Sequence, residues 1–481
     1  MVIAIDVGTS SARASVYDAA ARAVPGRFHQ VKYEPRVTPD GGMELDAPRL
    51  LEAVAECVDH VLAGPALEVQ AVAVATFWHG LLGLDAAGEA VTPLFMWADR
   101  RSAEDAAILR GALDDAAVHA RTGCHLHSSY WPAKLRWLGH TRPAEARRVA
   151  RWGSFGELLE QRLFGEAATS VCMASGTGLL DQQRTRWDPE ALAAAGVEAD
   201  RLWPLCDRAE ARRGLRAPWS RRWPALRRVP WLPAVADGAA SNVGSDCVGP
   251  QRIALNVGTS AALRIVTTSP PAPPPGLWRY RLDRQRSMLG GATSEGGNVL
   301  AWLDHVLRLP AREELETALA AMEPDAHHLT VLPFLAGERA PGWRDGLRAT
   351  IAGLTLDTTG VDLARAGLEA VALRLARVHD LLRPCAAPDA AVVASGGGIV
   401  HSPAWAQIIA DALGCPLVLS PEDEATSRGA ARLALDALGI TGLDEAPPLA
   451  GRTIAPDPAR HARYQEARAR QQRLDDAVGK V

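Results

Sequence analysis

Lysine is almost absent from this chain of 481 residues: only Lys32, Lys134 and Lys480 occur, and the rest of its 52 basic side chains are arginine. That scarcity excludes a P-loop NTPase, which needs Gly-x-x-x-x-Gly-Lys-[Ser/Thr], because no lysine here stands in such a run. The protein-kinase set, a His-Arg-Asp loop with Asp-Phe-Gly, is missing too. Cysteine is sparse and unpaired: seven residues, an odd count, with no Cys-x-x-Cys. This gives no metal-ligand spacing and fits reduced thiols in a cytosol. No apolar run reaches the roughly 18 residues that read as a membrane span. The start enters a strand broken by Asp6 rather than a signal peptide, so a cytoplasmic location is expected. A net charge of −4 gives no reason to expect nucleic acid or an anionic membrane as partner. Arginine pairs such as Arg221-Arg222 and Arg227-Arg228 read as solvated surface in a chain of biased composition.

What the chain does have is one stretch used twice. Near the start stands Ile5-Asp6-Val7-Gly8-Thr9-Ser10-Ser11-Ala12-Arg13, and later Leu255-Asn256-Val257-Gly258-Thr259-Ser260-Ala261. Each is an apolar β-run, a turn at Gly-Thr-Ser and a second run, which is a hairpin pattern. Such a turn offers successive backbone N–H groups and hydroxyls, a nest suited to phosphate, with glycine leaving the approach clear. Two nests suggest a phosphate chain gripped between two related halves. Only the first copy carries a carboxylate, so Asp6 is the candidate to hold Mg²⁺ directly or through its water shell.

Along the chain, helical spacing predicts a helix over 48–62 and a strand over 69–76, followed by Phe77-Trp78-His79-Gly80. Polar residues just past a buried strand are where α/β sheets place binding residues. The stretch 124–152 mixes His125, His127, Trp131, Lys134, Trp137 and Trp152, and its tryptophans read as the core of a helical insertion rather than a sugar-facing wall. The region 183–233, rich in Arg, Trp and Pro, reads as irregular, and 270–275 as a stiff proline loop. Val235-Ala236-Asp237-Gly238 leads toward the second hairpin. Gly-rich runs recur at 290–298 and at Gly396-Gly397-Gly398, each read as following a strand and leading into a helix. Strands alternating with helices in both halves make the fold α/β.

Asp6-x-Gly-Thr-Ser with Arg13, the Asp237-Gly loop, Asn256-x-Gly-Thr-Ser, the triple-glycine turn and Glu424-Ala-Thr-Ser-Arg428-Gly429-Ala-Ala together resemble the FGGY carbohydrate kinases. Trp97-Ala-Asp99-Arg100-Arg101-Ser102, Arg121-Thr-Gly with His127, and Pro333-Phe-Leu-Ala-Gly-Glu338-Arg339-Ala-Pro-x-Trp343 are similar to the gluconate kinases within that family. The resemblance implies two ribonuclease-H-like domains of the actin/hexokinase type with a cleft between them. The expected division is 1–245, 246–445 and a tail at 446–481. It further implies ATP-dependent phosphorylation of a sugar or sugar acid with Mg²⁺, gluconate first. A ketose or polyol kinase of the xylulokinase kind is an alternative, as is a silent sugar or nucleotide sensor; a homodimer is left open. Asp237 is then the general base and Asp6 the metal residue. Phosphate and nucleotide contacts fall to Gly8, Thr9, Ser10, Arg13, Gly258, Thr259, Ser260, Gly297, Asn298, Gly396, Gly397, Gly398 and Ser402. Substrate contacts fall to His79, Gly80, Asp99, Arg100, His127 and Arg339. Arg100 and Arg101 cannot both point the same way, and Arg339 has the alternative of bracing its loop through Glu338. Gly238 is expected to leave room for a substrate carbon, and a positive φ at Gly8 or Gly258 is allowed for.

Overall fold

The computed structural model describes residues 1–268, 272–445 and 451–479. The expected proline loop at 270–275 and the tail at 446–481 therefore lie partly outside the described residues. Two sheets are built on one plan. In the first, Val235–Ala236, Ala71–Thr76, Val2–Val7, Ser11–Tyr17 and Ala23–Lys32 lie side by side in that order. Val2–Val7, Ser11–Tyr17 and Ala23–Lys32 run antiparallel, while Ala71–Thr76 lies parallel to Val2–Val7 and Val235–Ala236 parallel to Ala71–Thr76. The second sheet repeats this with Ser287–Thr293, Ala261–Thr267, Arg252–Val257, Ala391–Ser395 and Leu417–Leu419, and adds one strand at each edge. The sequence repeat is thus a topological repeat. In each sheet the Gly-Thr-Ser turn follows the central strand at its C-terminal end, beside the end of a parallel neighbour: Val7 opposite Thr76, and Asn256 opposite Ser395. Ligands of α/β sheets gather at such ends.

Local chemistry explains the helices that cover these sheets. Helix Ala47–Leu62 starts where Asp46 accepts from Arg49 N at 3.0 Å, has Pro48 in its first turn, and buries Leu50, Val54, Val58 and Val61 on one face. Helix Gly360–Leu382 begins with a Thr359/Asp362 capping box and packs on the second sheet. It buries Arg365, Glu369 and Arg374, which the interior tolerates because each is paired: Arg365 Nε reaches Glu369 at 2.6 Å, and Arg374 meets Glu338 and, at 3.0 Å, Asp475.

Helix Ala425–Ala437 comes late in the chain yet packs on Val2–Val7 and Ala71–Thr76 of the first sheet, and crosses helix Asp237–Gly244. The crossing rests on two glycines. A β-carbon on Gly244 would lie 1.7 Å from the Ala425 carbonyl oxygen, and one on Gly429 would lie 1.7 Å from that of Ala240. Arg428 and Arg432 fasten the crossing by donating to the Gly244 and Val243 carbonyls and to Asp246.

The region 183–233 contains only short elements, as its composition suggests. Trp131 and Trp152 are buried in a satellite core with Leu135 and Leu138, and Trp137 packs against that core. All seven cysteines are free thiols. Among the described residues no helix is long and apolar enough to cross a membrane.

Candidate active site

A cavity of about 100 Å³ lies between the halves of the chain. Trp78, His79, Trp97, Tyr130 and Asp237 line it from the first half, and Ser260, Arg264, Trp278, Tyr280, Arg339 and Trp343 from the second. Its walls are stacked aromatics: Trp278 lies on Tyr280 at 4.1 Å between centroids, Trp78 approaches Tyr280 at 4.7 Å, and the Tyr130 and Tyr280 hydroxyls meet at 2.6 Å.

Asp237 opens helix Asp237–Gly244. Ala236 holds the cap position, so Asp237 is not an ordinary N-cap, and its Oδ1 accepts from Gly238 N at 2.6 Å. Burial pushes its carboxyl above the usual range, opposed first by the Arg264 charge. The space beside Gly238 is not free for substrate, contrary to expectation: a β-carbon there would lie 3.0 Å from the Trp78 indole and 3.1 Å from the Arg264 guanidinium. Glycine at 238 lets those two side chains close over the helix start.

His79 sits in left-handed backbone at φ 67°, uncommon for a residue other than glycine. Its Nδ1–H donates to the Gly176 carbonyl, which fixes the tautomer and leaves Nε2 as an acceptor. Burial drops its pKa to about 3, so the ring is neutral. Gly80 is buried behind it, where a β-carbon would lie 2.7 Å from Phe77. Arg339 lies over Trp97 at 4.4 Å and gives Nη2 to the Thr293 carbonyl at 3.2 Å. It does not brace its loop through Glu338, which pairs with Arg344 and Arg374 instead.

The other substrate candidates stand behind the cavity wall. Asp99 is held by Arg101 and by Met43 N at 3.1 Å. Arg100 donates to the Asp345 carbonyl at 2.8 Å, while Arg101 turns to Asp99 and Glu44, so the two adjacent arginines do diverge. His127 lies 3.0 Å from Asp345 and 3.1 Å from Ser129, and burial lowers its pKa to about 4. Lys134 donates to the Ser128 and Ser129 carbonyls at 2.7 and 2.6 Å. Together they position Ser129, which does line the cavity.

At the first turn Gly8 N donates to Ser11 O at 2.9 Å, and Tyr33 donates its hydroxyl to Gly8 O at 2.7 Å. Asp6 is 6% exposed, and burial raises its pKa to about 7; Arg13, 3.7 Å away, opposes the rise and Asp237 adds to it. Arg13 also reaches Glu424 at 3.1 Å. At the second turn Gly258 N donates to Ser260 O at 2.9 Å, Gly297 N to Gly258 O at 2.8 Å and Asn298 N to Thr259 O at 3.2 Å. Asn256, in place of a carboxylate, donates to Ser395 at 3.2 Å. Gly396 takes φ 95° against the Val257 carbonyl, with Gly397 and Gly398 following it into a short helix. Ser402 is a helix cap: its hydroxyl accepts from Trp405 N at 3.2 Å and donates to Glu316 at 2.8 Å.

Neither Gly8 nor Gly258 adopts a positive φ, so torsion does not explain these glycines. An added β-carbon would meet no clash at either position, only ordinary van der Waals contact with Ser11 O at 3.4 Å or Ser260 O at 4.0 Å. Gly258→Val should therefore fold like the parent while losing nucleotide affinity by roughly ten- to a hundredfold, the value of one charge-assisted bond. Calorimetry with Mg-ATP and a thermal melt check both halves, and unchanged binding would remove the nest assignment.

Residues 1–244 match the model of the FGGY family of carbohydrate kinases, N-terminal domain, and residues 253–438 match its C-terminal domain. A gluconokinase of Bacillus subtilis (strain 168) is 27% identical over 95% of this chain and 91% of its own length. A gluconate kinase and a ligand-bound xylulose kinase, both from Lactobacillus acidophilus, superpose with a TM-score of 0.91 at 25% identity, over 100% of this chain and 99% of each of theirs. The fold is thus the two-domain, actin/hexokinase-like one that the family resemblance implied, and the chain belongs to the FGGY family of carbohydrate kinases.

Proposed function

We propose that this kinase transfers the terminal phosphoryl group of ATP to a hydroxyl of a sugar acid, gluconate foremost, with Asp237 as general base. The carrying observation is the cavity, where an acidic side chain of raised pKa faces space that also meets the second Gly-Thr-Ser turn at Ser260. Phosphoryl transfer to an alcohol needs positioned phosphates, neutralised charge and a proton acceptor. The N–H groups of Thr9 and Ser10, and of Thr259 and Ser260, hold phosphate oxygens, while Gly8 N and Gly258 N close their turns. Asp237 takes the hydroxyl proton, His79 Nε2 accepts from a substrate hydroxyl, and the aromatic walls exclude water. Asp6 suits Mg²⁺: a hard oxygen donor, buried, whose ionised form needs a nearby cation. Mg²⁺ bound there with the nucleotide would neutralise phosphate charge.

The sugar-acid reading draws on Arg339, a guanidinium above the cavity with a tryptophan face and one carbonyl for partners, and on the gluconokinase likeness. A ketopentose is the second reading, because the xylulose kinase structure superposes equally well. Coupled ADP release with gluconate, xylulose and glycerol decides between them. Turnover of xylulose without turnover of gluconate would overturn the first.

Asp237 must be ionised to accept a proton, and burial raises its pKa. The acid limb of kcat/KM is therefore expected above the ordinary aspartate value of about 4, with activity lost as pH falls through it. No limb near 6.5 should come from His79, which is neutral throughout. A pH profile flat down to pH 4 would contradict the assignment.

A further inference from the structure

The expected substrate contacts did not include Arg264. Strand Ala261–Thr267 carries it opposite Ala254 on one side and Gly290 on the other. Residues two apart on a strand share a face, so Arg264 faces the same way as Ala262, whose partner Ala292 lines the cavity. Its guanidinium lies against Gly238 and lines the cavity itself. Among the described residues this side chain makes no hydrogen bond and no ion pair, and its Nε is buried without a partner. Arg339 lines the same cavity, and its Nε also lacks a partner. Two guanidiniums therefore face one carboxylate, Asp237, across a space whose histidine is neutral. A neutral sugar brings no negative charge of its own to either guanidinium.

We propose that Arg264 and Arg339 together hold the carboxylate of the substrate, and that Arg264 is the residue by which the site selects an acid over a neutral polyol. The proposal rests on the sugar-acid reading above. A guanidinium fork matches a carboxylate in shape as well as charge, and desolvated charge-assisted bonds are the strong ones. A neutral ligand cannot satisfy both forks, and the donors it leaves unpaired count against it. The competing role for Arg264 is counter-ion to Asp237, the first charge opposing that carboxyl's rise. In that case every substrate would depend on Arg264 equally.

The test is a matched pair of ligands, gluconate and glucitol, which differ only in a carboxylate against a hydroxymethyl group. Their affinities are measured by calorimetry and by competition for wild type, Arg264→Met and Arg264→Lys. Arg264→Met is expected to weaken gluconate by roughly ten- to a hundredfold, one charge-assisted bond, and to bring the gluconate-over-glucitol preference toward unity. Arg264→Lys keeps the charge without the fork and should recover part of that preference. If Arg264→Met retains the wild-type preference, whatever its absolute affinities, the assignment of Arg264 falls while the sugar-acid reading stands. If the wild type itself shows no preference for gluconate, the sugar-acid reading falls first. A preference retained together with an acid limb of kcat/KM moved to higher pH, and equal losses of turnover on both ligands, would make Arg264 only the partner of Asp237.

Discussion

Asp237→Asn is expected to lower kcat by roughly 10²–10⁴, the usual contribution of a positioned acid or base. The substitution is close to isosteric. An asparagine Oδ1 can still accept from Gly238 N, now at 2.6 Å, so the start of helix Asp237–Gly244 should hold its place. What disappears is the ability to take a proton. Burial makes the loss severe, because this carboxyl is a stronger base than an exposed one. The turns proposed to hold phosphate lie on other segments, so Mg-ATP affinity should stay near the parent value. Coupled ADP release gives the rate and calorimetry the affinity. Parent-like turnover would sink the role of Asp237, and a parallel loss of nucleotide binding would point to a folding defect instead.

The second large effect concerns stability. Glu338 pairs with Arg374 and Arg344, and Asp475 on the last helix, Pro458–Val478, meets Arg374 at 3.0 Å and Arg344 at 2.7 Å. Arg374, Glu338 and Asp475 are each at most 2% exposed. Removing one member of a buried ion-pair network strands a charge in a low-dielectric interior, which costs about 3–5 kcal/mol. Glu338→Ala should lower the unfolding free energy by about that much in urea titrations. Adding Arg374→Met to Glu338→Ala removes the stranded charge and should restore part of the loss. Since Arg339 is the next residue, the single variant should also raise KM for the sugar. A single variant as stable as the parent would show that water reaches Arg374 and that the network is not dry.

The repeat was legible because its chemistry is local: a strand, a Gly-Thr-Ser turn and a second strand within a few positions. The strand order the two sheets share was visible only in the structure. Asp99 and His127 were harder, because each is engaged by another group: Asp99 by Arg101 two residues on and by Met43 N, and His127 by Asp345, far along the chain. Ser402 looked like a nucleotide contact because it follows a glycine turn, but the same position caps a helix, and the cap takes the hydroxyl. Arg264 was missed for a reason of composition. In a chain whose basic residues are nearly all arginine, one more arginine carries little weight. The available signal was its alternation with Ala262 on the strand that leaves Ser260, which aims it at the ligand side.

The helix crossing at Gly244 and Gly429 means that the family's sequence boundary is not a boundary of folding. The first family model ends at residue 244, yet the helix that roofs Val2–Val7 and Ala71–Thr76 arrives with Ala425–Ala437. A fragment cut at 244 would keep helix Ala47–Leu62 but lose the cover of Ala425–Ala437, exposing apolar side chains of those strands that are now almost wholly shielded. During synthesis the first half must wait, incompletely covered, for nearly all of the second to be made. Cut there, the two fragments are expected to need each other for that cover rather than to act as separable modules.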